Sequence, residues 1–203
     1  MNPSRFRMGA LGLLLAGWFG LQSCPGAERR EWITLTNCQL VTSDYNDGDS
    51  FHIRSGTNDF IARLYFVDAP ETNLRYAERT REQSEYFGVT LDETMKAGRQ
   101  AAEAVRTLLR EPFSVQTRRA SAAGQSKQPR FYCFVEAEGQ SLAEWLVAHG
   151  LARTKGVNTA LPGGMKAKAY VEKLKALEAK AREKRAGIWA GSIEKNSGEE
   201  SPK

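Results

Sequence analysis

Three carboxylates and one arginine occupy positions in the sequence from which they could form a single reactive site. Asp49 follows an Asp-Gly pair, and Asp68 and Glu71 flank Pro70. Arg63 precedes the second pair by a few residues. Converging carboxylates repel one another unless a positive charge lies between them. A hard divalent cation with oxygen ligands meets that requirement, so these residue types predict a cation site with an arginine beside it.

The elements that would position these residues form a hairpin. Residues 51–53 and 61–67 are rich in β-branched and aromatic side chains, which suit a half-buried sheet, and residues 55–58 supply a Gly/Asn turn. Pro70 ends the second strand because it has no N–H to donate to the sheet. The acidic residues are therefore expected at strand ends, on one rim.

The composition is that of one domain with an export leader. The chain has 203 residues, 41% of them hydrophobic, and a formal charge of +5, which favours an acidic partner such as nucleic acid. Residues 1–24 are expected to be the leader, since two arginines precede an apolar run too short to span a bilayer. Without the leader the charge is +3. Residues 191–203 are expected to be a disordered tail.

Two fates stay open for the N-terminus of the exported protein. The residues that end in Cys24 resemble a lipoprotein cleavage box, in which case that cysteine carries a lipid anchor. Cleavage after Ala27 would instead release an ordinary secreted or periplasmic protein.

Two cysteines remain beyond the leader, and two interpretations of them stay open. Cys38 and Cys133 form a disulfide, worth about 3–5 kcal/mol in the chain-entropy model, or they are buried thiols on separate strands. Neither has the spacing of a zinc motif, and His52 and His149 lie far apart in the sequence.

The rest of the chain predicts an α+β domain. Further strands are expected at 32–42, 113–117 and 131–135, and helices from Thr94 to Pro112, from a Ser-x-x-Glu capping box to residue 148, and at 165–185. Residues 72–91 lack periodicity and are expected to form a long loop or broken helix, and 118–129 a mobile loop. The pattern predicts a small barrel of five antiparallel strands with three helices on one side.

Several motifs in a fixed order resemble the thermonuclease, or staphylococcal nuclease-like, family. They are Asp47-Gly48-Asp49-Ser50, Arg63 with Val67-Asp68-Ala69-Pro70-Glu71, Arg130 at the start of a strand, Ala148-His149-Gly150-Leu151-Ala152, and Gly187-Ile188-Trp189. Asp-Gly-Asp alone is common in loops, whereas its combination with Arg-x4-Asp-x-Pro-Glu is specific. The resemblance covers residues 32–190 and implies a nuclease domain with a five-stranded OB-type β-barrel and three helices.

The resemblance also implies the residues of a calcium-dependent phosphodiesterase site. The implied Ca2+ ligands are the carboxylates of Asp49 and Asp68 and the main-chain oxygen of Ala69. Glu71 would orient or deprotonate the attacking water, and Arg63 and Arg130 would contact the phosphate from either side. These types suit the chemistry, because a phosphodiester gains negative charge as water attacks and arginine offers a rigid fork of donors.

The chain departs from the family pattern at three places. Ala69 replaces the threonine of well-studied members, although its ligand there is a main-chain oxygen. The Asp-x-Tyr-Gly that usually precedes Arg130 is missing, so Arg118 or Arg119 could reach the site instead. Gly156-Val157 falls where a base-stacking tyrosine is expected, which weakens the nucleotide pocket.

The 72–91 segment mixes basic and aromatic side chains beside the implied site. We predict that Arg75, Tyr76 and Arg79 bind the nucleic-acid strand, the alternative being an ordinary solvated loop.

Taken together, these expectations describe an exported, monomeric Ca2+-dependent endonuclease that cuts DNA, with RNA open as a second substrate. A non-catalytic nucleic-acid or protein-binding module of the same family is the alternative. The retention of Asp49, Arg63, Asp68, Glu71 and Arg130 together favours the enzyme. A plain oligonucleotide-binding barrel does not explain clustered carboxylates, which would repel phosphate without a metal.

Overall fold

The computed structural model describes residues 31–124 and 126–192. The predicted leader, both cleavage sites, Cys24 and residues 193–203 of the predicted tail lie outside this part of the chain. Within it, no helix has the length and apolar character needed to cross a membrane.

Eight strands form in the described residues, and five of them close a barrel. Their bounds are β1 (Ile33–Leu40), β2 (Ser50–Ser55), β3 (Asn58–Leu64), β4 (Val67–Asp68), β5 (Phe113–Ser121), β6 (Arg130–Ala137), β7 (Gln140–Ser141) and β8 (Arg153–Thr154). The barrel strands follow the order β3-β2-β1-β5-β6, and β6 returns to pair with β3. The predicted α+β class with a five-stranded OB-type barrel is confirmed.

The pairing that closes the barrel is parallel, so the prediction of an all-antiparallel barrel is wrong at this seam. β3 and β6 pair from Ile61 opposite Arg130 to Leu64 opposite Cys133, whereas the other barrel pairings are antiparallel. Hairpin patterns in a sequence indicate only which neighbours along the chain pair, and this pair is distant. The closure brings the start of β6 beside the strand that carries Arg63.

Two irregularities allow the longer strands to curve. The β1–β5 register shifts around Asn37, and the β5–β6 register shifts beyond Thr117 near Arg119; both Asn37 and Arg119 have positive φ, 54° and 52°. Such bulges bend a strand and increase its twist. β5 therefore continues past the predicted end at Thr117 to Ser121.

Four helices form in the described chain, one more than predicted. They are α1 (Ala77–Phe87), α2 (Leu91–Leu108), α3 (Leu142–Ala148) and α4 (Ala167–Glu183). α2 begins before the predicted Thr94 because Thr90 and Glu93 form a capping box, in which each side chain accepts the other's backbone N–H. Ser141 caps α3 as predicted, since its hydroxyl accepts the N–H of Glu144.

The segment predicted to be a loop or broken helix, 72–91, is mostly the additional helix. Asn73 accepts the N–H of Arg75 and begins a 3-10 turn, Leu74–Tyr76, from which α1 continues. The buried face of α1 consists of Thr80, Gln83, Ser84 and Phe87. Three of these four side chains are polar, so apolar periodicity, on which helix prediction depends, is missing from the sequence.

A small second core fastens α1 to the C-terminal end of the domain. Its buried members are Phe87, Ala97, Ala181, Ile188 and Trp189. The Gly187-Ile188-Trp189 motif thus lies in a 3-10 turn, Gly187–Gly191, whose Ile188 and Trp189 side chains pack with residues of α1, α2 and α4.

The two cysteines are buried free thiols, which is the second of the interpretations left open by the sequence. Each thiol faces a nearby carbonyl oxygen, Cys38 that of Leu35 at 3.5 Å and Cys133 that of Phe131 at 3.3 Å. Burial raises the pKa of Cys133 to about 12, so this thiol stays protonated at neutral pH.

Candidate active site

The turn before β2 places Asp49 at one end of the barrel. Asp47 Oδ1 accepts the N–H groups of Asp49 (3.0 Å) and Ser50 (2.6 Å), which is an Asx-type turn. Asp49 is only 1% exposed, and its Oδ2 accepts the N–H of Ala69 at 2.9 Å. Asp47 therefore shapes the turn, and Asp49 turns its side chain toward the segment after β3.

Arg63 joins two of the residues predicted to be metal ligands. It lies opposite Ser50 in the β2–β3 pairing. Its Nη1 is 2.5 Å from Asp49 Oδ1 and its Nη2 is 3.5 Å from Asp68 Oδ1. The two carboxylate oxygens consequently face a single guanidinium group.

Asp68 is surrounded by donors on both of its oxygens. It lies in β4, opposite Arg153 of β8, and is 5% exposed. Oδ1 accepts from Arg63 and Arg79, while Oδ2 accepts from Gln83 Nε2 (3.1 Å) and Arg153 Nε (2.8 Å). This is the most heavily bonded carboxylate of the site.

Gln83 of α1 clamps the loop that follows Asp68. Its Oε1 accepts the N–H of Glu71 at 2.7 Å, and its Nε2 donates to the carbonyl of Ala69 at 2.9 Å. On the other side of the loop, a Cβ at Gly98 would lie 2.4 Å from the carbonyl oxygen of Glu71. Only glycine lets α2 approach this closely, so two helices hold the loop in place.

Glu71 is held by a second residue of α1. Arg79 Nε is 2.8 Å from Glu71 Oε1, and Arg79 Nη2 contacts Asp68 Oδ1. Arg79 and Gln83 are four residues apart and so lie on one face of the helix. We predicted that Arg79 binds a nucleic-acid strand, which stays a prediction; the structure places it between two carboxylates.

Arg130 lies at the edge of this cluster, next to Ser50. Its Nε donates to Ser50 Oγ at 3.1 Å and its Nη1 donates to the carbonyl of Ala123 at 2.8 Å. Burial and the positive charge of Arg63 lower its pKa. The two alternatives lie elsewhere, Arg118 over the ring of Trp32 and Arg119 against Asn58.

Arg75 and Tyr76 lie on the exposed 3-10 turn before α1. The Arg75 guanidinium is 5.8 Å from the centre of the Tyr76 ring, which is 48% exposed. The structure thus separates the predicted strand-binding residues, because Arg79 faces the acidic cluster whereas Arg75 and Tyr76 face solvent.

Burial opposes ionisation of the carboxyl groups in the acidic cluster. It raises the pKa of Asp49 to about 7 and also raises the pKa values of Asp47 and Glu71. Burial acts in the same direction on Asp68, but the charge of Arg79 and the hydrogen bonds that Asp68 accepts hold its pKa below the ordinary value. Three of the four acids would therefore be stabilised in their ionised form by a further cation.

The oxygen donors of this cluster fit a hard divalent cation in kind. Asp49 and Asp68 each direct an oxygen at Arg63, and the Ala69 carbonyl lies in the adjoining loop. As the side chains stand, guanidinium groups lie between the carboxylates. Among the described residues, no group of three or more His, Cys, Asp or Glu side chains is arranged to hold a metal ion. A bound cation would have to take over contacts that an arginine makes now.

Three residues of the site were missed in the sequence. Arg153 bonds to Asp68 from 85 positions away and to Glu82 at 2.8 and 2.5 Å, and Gln83 clamps the loop. Glu82 and Gln83 lie three and four residues after Arg79, which is the spacing of one helix face. This spacing would have indicated them only if the segment had been predicted to be a helix. No local pattern indicates Arg153, although it follows directly after the Ala148-His149-Gly150-Leu151-Ala152 motif.

The fold and site define the class of protein: a small closed OB-type barrel that carries buried acids and arginines at one end. A family model described as staphylococcal nuclease homologue matches residues 62–191, and the chain belongs to that family. The resemblance to thermonucleases is thereby confirmed. The matched range includes Arg63, Asp68, Glu71 and Arg130, while Asp49 lies before it. Comparison with curated proteins gave no match.

Proposed function

We propose that this protein is an exported, Ca2+-dependent endonuclease that hydrolyses phosphodiester bonds in DNA, with RNA as a second substrate. Membership of the staphylococcal nuclease family supports a nuclease that acts on nucleic acid. The observation that carries the proposal is the convergence of Asp49, Asp68 and Glu71 on the guanidinium groups of Arg63 and Arg79 at one end of the barrel.

Arg63 and Arg130 are the groups that would bind the phosphate. Both lie close to Ser50, since Arg63 is opposite it in the β2–β3 pairing and Arg130 donates to its hydroxyl. A diester held between them places its non-bridging oxygens near two fixed positive charges. Such charges stabilise the transition state more than the ground state, because negative charge on those oxygens grows as water attacks.

Glu71 would orient the attacking water or accept its proton. Its side chain is 17% exposed, so water can reach it, and Gln83 fixes its backbone. Burial raises its pKa, which makes the carboxylate a stronger base than an exposed glutamate.

A divalent cation, when bound, would polarise a phosphoryl oxygen and offset the repulsion between the diester and the carboxylates. Asp49, Asp68 and the carbonyl of Ala69 are the residues proposed to hold it. Export rests on the leader at residues 1–24, which also leaves a lipid anchor at Cys24 open; the active unit is proposed to be a monomer.

Digestion of single-stranded DNA, duplex DNA and RNA by the mature chain, with calcium and with chelator, tests the proposal. We expect cleavage that needs calcium and that falls by orders of magnitude in Glu71→Gln, a variant of nearly unchanged shape. Glu78→Gln is the matched control, since the Glu78 side chain is 87% exposed and pairs with Arg81 on the surface of α1. Cleavage that persists in chelator, or full activity of Glu71→Gln, would contradict the proposal.

The second candidate is a non-catalytic binding module of the same family. It is favoured by one observation, that Asp68 and Glu71 are already paired with arginine side chains. If the protein is such a module, it should shift the mobility of DNA in a gel-shift assay and leave the DNA uncut at every calcium concentration.

A further inference from the structure

Arg79 contacts two carboxylates of the acidic cluster. Its Nε is 2.8 Å from Glu71 Oε1 and its Nη2 contacts Asp68 Oδ1, so one guanidinium bridges two of the three predicted acids. Asp68 Oδ1 is also the oxygen that faces Arg63. A positive group delivered by α1 therefore lies where the carboxylates converge.

The helix that delivers Arg79 is held firmly by its other contacts. One turn later in α1, the buried Gln83 bonds to Asp68, Ala69 and the backbone of Glu71. Phe87 at the end of α1 is 1% exposed in the second core. Because the backbone is fixed by these contacts, the Arg79 side chain can move without loss of the helix.

Of the two arginines that bridge the acids, Arg79 is the one that can leave. Its side chain is 38% exposed, whereas that of Arg63 is 14% exposed and extends from a barrel strand. A side chain at the solvent edge can swing out and be hydrated, whereas the less exposed guanidinium of Arg63 would have to break buried contacts to do so.

We infer that Arg79 is a tethered competitor of the divalent cation. Its guanidinium neutralises Asp68 and Glu71 while no cation is bound and is displaced from them when one binds. The inference rests on the proposed Ca2+ site. It makes the affinity of that site for calcium depend on a residue of α1 that is not itself a ligand.

The direction of the effect follows from competition. Calcium can bind only to molecules in which Arg79 has left the carboxylates. The observed affinity is therefore the intrinsic affinity multiplied by the fraction of molecules in that state. Removal of the guanidinium abolishes that competition, so Arg79→Gln should bind calcium at least about tenfold more tightly. A residue that merely braced the acids would give the opposite sign, because its loss would disorder the ligands.

The test is calorimetric titration of calcium into the mature chain and its variants. Arg79→Gln is compared with Arg81→Gln, which removes the same charge from an exposed position of the same helix. Arg79→Lys keeps a charge that cannot bridge two carboxylates with a fork, so it should bind with an affinity between wild type and Arg79→Gln. Thermal unfolding with and without calcium gives a second readout, since tighter binding increases the calcium-induced rise in Tm.

Tighter calcium binding by Arg79→Gln and Arg79→Lys, with Arg81→Gln equal to wild type, would support the inference. Equal or weaker binding by the Arg79 variants would overturn it, even if the wild type binds calcium and cuts DNA as proposed. Absence of calcium binding in the wild type as well as the variants would overturn both this inference and the calcium dependence of the proposed function.

Discussion

Replacement of Arg153 by methionine should destabilise the fold more than any single change to a surface ion pair. Arg153 is 1% exposed, and it donates to Asp68 Oδ2 through Nε and to the two oxygens of Glu82 through its terminal nitrogens. Methionine keeps much of the apolar stem, so the change removes mainly the charge and its hydrogen bonds.

The expected loss is about 3 kcal/mol. Removal of one partner from a buried ion pair costs roughly 3–5 kcal/mol, because the other charge stays buried without its donor. Asp68, with a side chain only 6% exposed, keeps three other donors, which favours the lower end. Glu82 has a side chain 47% exposed, so its share should stay below about 1 kcal/mol.

Urea unfolding followed by tryptophan fluorescence measures this loss. Lys155→Met is the matched control, since Lys155 bonds to the same Glu82 at 3.0 Å from an exposed position, and it should cost less than about 1 kcal/mol. The loss from Arg153→Met should persist in a Glu82→Gln background, because most of it passes through Asp68. If Arg153→Met costs no more than Lys155→Met at an unchanged m-value, the assignment of a buried pair is wrong.

Three further predictions concern the same region. Asp49→Ala should weaken calcium binding in calorimetry, and retained affinity would remove Asp49 from the proposed ligands. Hydrogen bonds from its basic partners lower the pKa of Glu82 from 4.5 to about 2. Ionised Glu82 therefore stabilises the fold above about pH 4.5, and this contribution is lost as the pH falls toward 2. In urea unfolding at a series of pH values, Glu82→Gln should make the loss of stability on acidification smaller by less than about 1 kcal/mol. The exposed control Glu85→Gln should leave that loss unchanged. Arg75→Ala should raise KM for DNA and flatten its dependence on salt, and an unchanged salt slope would contradict a role for this exposed arginine in strand binding.

Part of the fold and of the candidate site could be predicted because the signals are local. Alternating apolar residues and a short Gly/Asn turn indicate the β2–β3 hairpin. The prediction that its second strand runs to residue 67 and is ended by Pro70 is wrong, because β3 ends at Leu64, just before Phe66 takes a positive φ of 68°, and Val67–Asp68 pairs in a separate sheet. The Asp47 turn, and with it the position of Asp49, follows from a side chain that bonds to its own backbone two and three residues on.

Other features carried no local signal. α1 buries Thr80, Gln83 and Ser84, so a pattern search for an apolar face finds none. The parallel pairing of β3 with β6 joins residues almost seventy positions apart, so no local pattern indicates it. The thiols of Cys38 and Cys133 illustrate the same limit, since residue type alone left a disulfide open.

By itself, the sequence determined that the chain is a barrel of short strands with acids and an arginine at strand ends, because hydrophobic period and turn chemistry act over a few residues. Only the tertiary structure decided which charges meet. Arg153 reaches Asp68 through the β4–β8 pairing, and Arg79 reaches Asp68 and Glu71 because α1 packs beside their loop. The physical reason is that electrostatic partners are selected by distance in space, which the chain acquires only when its helices and strands pack together.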